Sequence, residues 1–428
     1  MPPPAPKLFV ALTCALAACG VEAPCPVAEL GVLQRSPAYA VALSDYGSTA
    51  IALLDAEGEV ITEAWIDSGT RASAISAGLG ADVVLPAPLL PGHLVLLERW
   101  NTDLLTIAAF DTGAVRQIDV RGDPERQLGA SPNAQDVLRI DDHQVLVSRA
   151  NPSLVPRTPE LALGNDVVVV DLTLERVVRR IDLAADVVLP APTPDDPEAT
   201  IHVYARPSTL VMLARGTTRR ALVGLQRLDL GFTRTGPAAI AVIDPDTQER
   251  TQLLELPELS LCDALATIPG APDRALALCT GDSFAGEAQR RTRAGILRLA
   301  LDDAGRVRVE LEWRADDHPG VPSPTSSPLA LDAARALFVA DPRGEDDGTD
   351  QLTLVDLERG EGHVVFEAGD AFVLGESTWD PERALLLVPD ADAGAVHRWW
   401  APGGSLTRGE SVPLPTCRTL PPRAITRL

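Results

Sequence analysis

Residues 165–183 read NDVVVVDLTLERVVRRIDL: four valines, an aspartate, a short polar interruption and a second β-branched run. Valine is stiff at χ1 and suits the packed, pleated surface of a strand. Four in succession leave no polar face, so this strand is expected to be covered on both sides. It stops on Asp171, and a carboxylate at that point is either chemistry or architecture.

The same pattern returns along the chain. AIALLDAEGEVI carries Asp55, LTIAAFDTGAVRQI Asp111, AIAVIDPDTQERTQLLEL Asp244, ILRLALDDAGRVRVEL Asp302 and LTLVDLERGEGHVVF Asp356; a seventh copy, VHRWWAPGGSLTRGESV, has Ala401 at that place. Ahead of each lies another pair of short apolar runs, clearest in DVLRIDDHQVLVSRA, DALATIPGAPDRALALC and PLALDAARALFVAD. Each unit is therefore four short strands, A to D, and the units recur every 45 to 73 residues between aspartate positions. Repeats of this kind bury their faces by stacking, and a closed ring leaves only short, protected edges. The expected fold is all-β, a seven-bladed β-propeller of four-stranded antiparallel blades over 34–415, with 416–428 as a C-terminal tail. The aspartate then opens each C–D turn, where its carboxylate accepts turn amides. One per blade, such groups lie around a rim and do not converge.

The rhythm of apolar strand, turn, VxVxD, turn and xVxxI resembles the YVTN-repeat propellers. QVLVSRA followed by NDVVVVDLTLERVVRRIDL is the nearest copy, and the resemblance covers 31–415, although the family's signature tetrapeptide occurs in no blade. It implies a secreted or surface repeat protein, often non-catalytic, whose wider superfamily includes quinoprotein amine dehydrogenase-like enzymes. No catalytic residue carries over.

The N-terminus, MPPPAPKLFVALTCALAACG, places one basic residue before an apolar run at 8–18. That run is too short to span a bilayer and reads as a signal-peptide core. Leu16-Ala17-Ala18-Cys19 resembles the lipobox of bacterial lipoproteins, which implies a signal peptide at 1–18, acylation of Cys19 and a lipidated tether at 19–33. Cys14 is a poorer match, because Leu12 stands where a small residue is wanted. Gly20 after the cysteine implies sorting to the outer membrane. The expected address is the bacterial cell envelope, lipid-anchored, on the periplasmic or surface face.

With Cys19 lipidated, Cys25, Cys262, Cys279 and Cys417 remain, an even number in an oxidising compartment. Cys262 and Cys279 flank the turn GAPDR and face each other across a predicted hairpin in blade five, at bridging distance. Cys25 and Cys417 flank the first and last blades, where a bridge would staple the ring closed.

Composition excludes several chemistries. Lys7 is the only lysine, so the body of the chain has no Schiff-base or P-loop lysine. The net charge of −23 opposes nucleic acid as a partner. His93, His143, His202, His318, His363 and His397 show no metal-ligand spacing. Gly281-Asp282-Ser283-Phe284 faintly resembles the nucleophile block of GDSL-type esterases but lacks its context. The acidic loop DPRGEDDGTD at 341–350 offers Asp346, Asp347 and Asp350 as weak ion ligands without EF-hand spacing. No other metal site and no cofactor are expected. Adjacent Trp399 and Trp400 in one strand point to opposite faces.

In a propeller, A–B and C–D turns leave one face and B–C and D–A connections the other. The longest expected B–C loops are 151–164, 216–237 and 281–295, and long loops on a rigid scaffold are where function usually sits. Arg219, Arg220, Arg227 and Arg234 of blade four and Arg290, Arg291 and Arg293 of blade five are expected on adjacent loops, as a basic patch for an anion or as loop ties to acids such as Asp229, Asp282 and Glu287. The reading favoured is a monomeric, non-catalytic binding or scaffolding module for an envelope protein, a polysaccharide or another anionic ligand. The alternative is a propeller enzyme, a lactonase or quinoprotein-like dehydrogenase with a central-channel metal or cofactor.

Overall fold

The computed structural model describes residues 30–428 apart from 72–74, 100–101, 122–127, 155–159, 161–162, 194–195, 283–285, 341–347, 402–404 and 415–418. Among these residues the strands assemble into seven antiparallel sheets arranged as the blades of a propeller. The opening stretch forms strands C and D of blade three, Asp166–Asp171 and Arg176–Ile181, beside strands A and B, Ala134–Arg139 and Gln144–Arg149. All four valines have no solvent exposure. Side chains alternate along a strand, so Val168 and Val170 pack with Leu97, Leu105 and Ile107 of blade two, while Val167 and Val169 pack with Val223, Ala239 and Ile243 of blade four. An unbroken apolar run is what a strand between two neighbouring blades requires.

The aspartate that ends the run is architecture. Asp171 accepts the amides of Thr173 at 2.9 Å and Leu174 at 2.8 Å. Asp55, Asp244, Asp302 and Asp356 accept turn amides in the same way. Hydrogen bonding from those amides favours the ionised form and holds Asp171 and Asp302 below the ordinary carboxylate range.

Ring closure departs from the expected boundary. Blade one takes strands B, C and D from the N-terminal region, Tyr39–Ser44, Thr49–Leu54 and Val60–Asp67, but its innermost strand A is Pro422–Arg427. Tyr39 lies opposite Arg427 and Val41 opposite Ile425 in antiparallel register. Residues 422–427 are thus a structural strand, not part of a tail, and Leu420 and Ile425 are buried. Cys25 and Cys417 lie outside the described residues.

Cys262 and Cys279 form a disulfide with Cα atoms 3.9 Å apart. Cys262 precedes the strand Ala264–Thr267 and Cys279 lies in its hairpin partner Arg274–Thr280, and both belong to the core between blades four and five. Replacing both with alanine is expected to lower unfolding free energy by about 3 kcal/mol, from loop-closure entropy, as read from a urea midpoint in oxidised protein. Trp399 is buried and Trp400 is 37% exposed, as strand alternation requires. The sequence pattern did not reveal one addition, a hairpin of Val187–Pro190 and Thr200–Val203 between blades three and four.

Candidate functional site at the channel mouth

The arginines do not form the expected patch. Arg219 and Arg220 lie in strand B of blade four, Thr218–Leu225, at its A–B-turn end and therefore on the face opposite the B–C loops. Arg219 donates to the Ile140 carbonyl at 2.7 Å and pairs with Asp246; Arg220 donates to the Gly305 carbonyl at 3.0 Å and to Asp244 at 2.9 Å. On the loop face, Arg227 is 1% exposed and grips Glu255 with two bonds of 2.6 and 2.8 Å. Arg291 donates to the carbonyls of Val321, Ala315 and His318, and Arg293 to that of Leu259. Arg290 is buried; Arg234 stands exposed in a loop whose turn is set by Asp229. Burial alone would raise the Asp229 pKa, but amides of Arg234, Thr233 and Gly231 outweigh it and hold the carboxyl low. Buried guanidinium groups need acceptors to offset their desolvation, and backbone carbonyls at the loop bases supply them.

The expected ion loop resolves similarly. Asp350 is 2% exposed and accepts the amides of Phe372, Val373 and Leu374 at 3.0, 2.8 and 2.8 Å, while Asp346 and Asp347 lie outside the described residues. Among the described residues no group of three or more histidine, cysteine, aspartate and glutamate side chains is placed to hold a metal ion. Ser283 and Phe284 of the GDSF stretch also fall outside them.

A different constellation forms where strands A begin, on the face of the B–C loops. Asp82 precedes strand A of blade two (Val83–Val84), Asp136 lies early in strand A of blade three, and Asp263 precedes that of blade five. Glu376 precedes that of blade seven (Thr378–Asp380), and Arg423 begins that of blade one. The innermost strands line the central channel, so the ring brings these groups to one mouth. A pocket of about 130 Å³ there is lined by Ser44, Tyr46, Asp82, Arg99, Glu376 and Arg423, among others. Such a volume holds several waters or one polar group of a larger ligand.

Arg99 organises one side, donating to Asp82 at 2.9 and 2.5 Å and to Gln135 at 3.2 Å. Arg423 donates to the Ser44 carbonyl at 3.3 Å and the Phe372 carbonyl at 3.1 Å and lies 5.2 Å from the Tyr46 ring centre. Tyr46 and Phe372 are 69% and 63% exposed beside the polar pocket.

Three carboxyls at this mouth, Asp136, Glu376 and Asp263, are perturbed. Desolvation pushes Asp136 up to about 7, against the amides of Leu210 and Val137 that it accepts at 2.7 Å each, and the charge of Glu376 adds to the rise. Desolvation also raises Glu376, with Arg99 opposing and Asp82 reinforcing, and raises Asp263, with Gln226 opposing. Asp136 and Asp263 keep partial solvent contact and Glu376 is exposed. The two facts agree for groups in a narrow wet channel: water touches them, but surrounding walls limit their hydration. A carboxyl that titrates near neutrality beside a second carboxyl can take up and release protons at physiological pH. No motif announces this site in the sequence, because its members come from separate blades.

Neither a known family pattern nor a curated protein sequence matches this chain. Solved propellers do. A proposed 6-phosphogluconolactonase from Bacteroides uniformis superposes with a TM-score of 0.52 at 14% identity, covering 92% of this chain and 99% of its own. The periplasmic gluconolactonase of Pseudomonas aeruginosa gives 0.50 at 13% identity, with coverage of 92% and 99%. A Lactobacillus plantarum protein gives 0.52 at 11%, with coverage of 92% and 100%. At these identities the likeness is one of fold.

Proposed function

We propose that the channel mouth is the working site, that it binds a small hydroxylated ligand, and that it supports lactonase-type opening of a cyclic ester. The observation that carries this reading is Asp136, a carboxyl raised to about 7 by desolvation and by the charge of Glu376, which with Arg99 lines the polar pocket at the same mouth. As a carboxylate, Asp136 would take a proton from the water whose oxygen adds to the ester carbonyl. The ring C–O bond then breaks, and the departing alkoxide recovers a proton. Arg99 and Arg423 supply donors for ligand oxygens, and Tyr46 and Phe372 supply faces for a sugar ring. Two of the solved propellers described above carry lactonase names, which is consistent with this choice.

A non-catalytic binding module remains the second reading. It is favoured by Leu154, Leu230 and Phe232 in loops of the same face and Val188 in the added hairpin, all large apolar side chains that are exposed. In either case we place the chain at the envelope through Cys19, which lies outside the described residues.

The test is hydrolysis of five- and six-membered sugar lactones by the full chain, corrected for spontaneous opening. Asp136→Asn is expected to lower kcat on the order of 10²-fold or more, and the wild-type rate should rise with pH through an apparent pKa near 7. The same variant carries a stability signature. With a folded pKa of about 7 against an ordinary 3.8, native Asp136 holds a proton that the unfolded chain releases. Stability therefore falls as pH rises through that window, and the loss is complete above 7. At pH 8 Asp136→Asn should be more stable than wild type by about 1–3 kcal/mol after allowance for channel solvent, an advantage that disappears near pH 4. Lactone binding without turnover would select the binding module.

A further inference from the structure

Blade seven carries a second set of reactive groups, on its strands B (Leu385–Asp390), C and D. Its strand D is broken into Thr407–Arg408 and Val412–Pro413, both paired with strand C, Ala395–Trp400. Arg408 lies opposite Trp399 and Val412 opposite Val396, so three residues, Gly409, Glu410 and Ser411, face two, His397 and Arg398. This bulge is built in. A Cβ at Gly409 would fall within the Trp400 ring, the Gly409 amide bonds the Arg398 carbonyl at 2.8 Å, and the Arg398 guanidinium bonds the Glu410 carbonyl at 2.8 Å. Bulges re-aim side chains and are over-represented beside active sites.

The side chain re-aimed is Ser411. Its Oγ lies 2.7 Å from Nδ1 of His397, whose Nε2 lies 2.9 Å from Oδ2 of Asp390. His397 and Asp390 are each 4% exposed, whereas Ser411 is half-buried. Burial would raise the Asp390 pKa, but the hydrogen bonds from His397 and the Ala393 amide outweigh it and keep the carboxyl below its ordinary range. An ionised Asp390 only accepts, so the ring proton sits on Nε2 and the lone pair on Nδ1 faces the Ser411 hydroxyl. That is the tautomer a general base needs, with the two ring nitrogens exchanged relative to the serine-protease arrangement. Arg408, exposed, brings Nη2 to 3.3 Å from the same Nδ1, with its guanidinium 4.5 Å from the Phe366 ring centre and 5.7 Å from that of Trp399. A cation beside the nucleophile, backed by aromatic rings, suits a developing oxyanion next to an apolar acyl group.

We infer that Ser411, His397 and Asp390 form a hydrolytic triad for small uncharged acyl esters, with Arg408 as oxyanion donor, separate from the channel site. The Ser411 oxygen attacks the ester carbonyl as its proton passes to Nδ1 of His397. The tetrahedral adduct collapses and expels the alcohol, which takes that proton. Water, deprotonated in the same way, then cleaves the acyl-serine, releasing the carboxylic acid and restoring the hydroxyl.

The test uses the full chain, a fluorophosphonate probe and p-nitrophenyl acetate. Ser411 should be the labelled serine by peptide mapping, and p-nitrophenol should appear in a burst of one equivalent. Ser411→Ala should abolish both. His397→Gln and Asp390→Asn, each checked by thermal melting, should slow labelling on the order of 10²-fold or more. Asp136→Asn should leave labelling unchanged, which separates this site from the lactone reading. Absence of label at Ser411 while a control serine hydrolase reacts, or undiminished labelling in a folded His397→Gln or Asp390→Asn protein, would overturn the triad and return His397 to a packing role.

Discussion

Removing residues 420–428 is expected to open the ring and cost about 5 kcal/mol or more, enough to unfold much of the population of a typical domain. The deleted segment contributes Leu420 and Ile425 to the core between blades one and seven and Ala424 to that between blades one and two, all less than 7% exposed. Burial of a leucine or isoleucine is worth about 1.5–3 kcal/mol each. Its loss also leaves the inner edge of strand Tyr39–Ser44 without the partner it has from Tyr39↔Arg427 to Leu43↔Pro422. Unpaired backbone groups at that edge become a template for aggregation. A denaturant midpoint and a light-scattering trace on the truncated chain measure both effects. A truncated chain with the wild-type midpoint would mean that the strand is dispensable.

The second large effect is expected at Asp166. This carboxylate has no solvent exposure and accepts Nε and Nη2 of Arg149 at 2.8 Å each and Nε of Arg180 at 2.7 Å. Arg149 is likewise fully buried and also donates to the Val120 carbonyl at 3.2 Å, tying blade three to blade two. Asp166→Asn removes the countercharge and strands a buried guanidinium, at an expected cost of about 3–5 kcal/mol. The double variant Asp166→Leu, Arg149→Met should recover at least half of that, because neither charge is then left buried alone. Urea unfolding of both variants supplies the comparison, and a double variant less stable than the single would contradict the assignment.

Some of this was legible in the residue order. The run VVVV predicted a strand covered on both faces, DLTLE predicted a turn closed by Asp171, and the spacing of Cys262 and Cys279 about GAPDR predicted their bridge. These are short-range properties, because alternation along a strand and closure of a tight turn depend on neighbours in the chain.

The arginines show where such reasoning stops. Their density in 216–237 and 281–295 suggested a patch, yet Gly216 is itself the A–B turn, so Arg219 and Arg220 emerge at the other rim. Arg227 and Arg291 turn inward to acceptors, which a count of charges cannot foresee.

What the sequence by itself determined is the repeating unit, since apolar alternation and turn chemistry specify each four-stranded blade locally. Only the tertiary structure decided which strand closes the ring and which polar groups meet. PRAITR has a weak pattern of its own and becomes an inner strand because blade one offers an unfilled edge. Asp82, Asp136 and Glu376 share one channel mouth because ring closure places the first residues of every inner strand around a common axis, at separations that no local periodicity encodes.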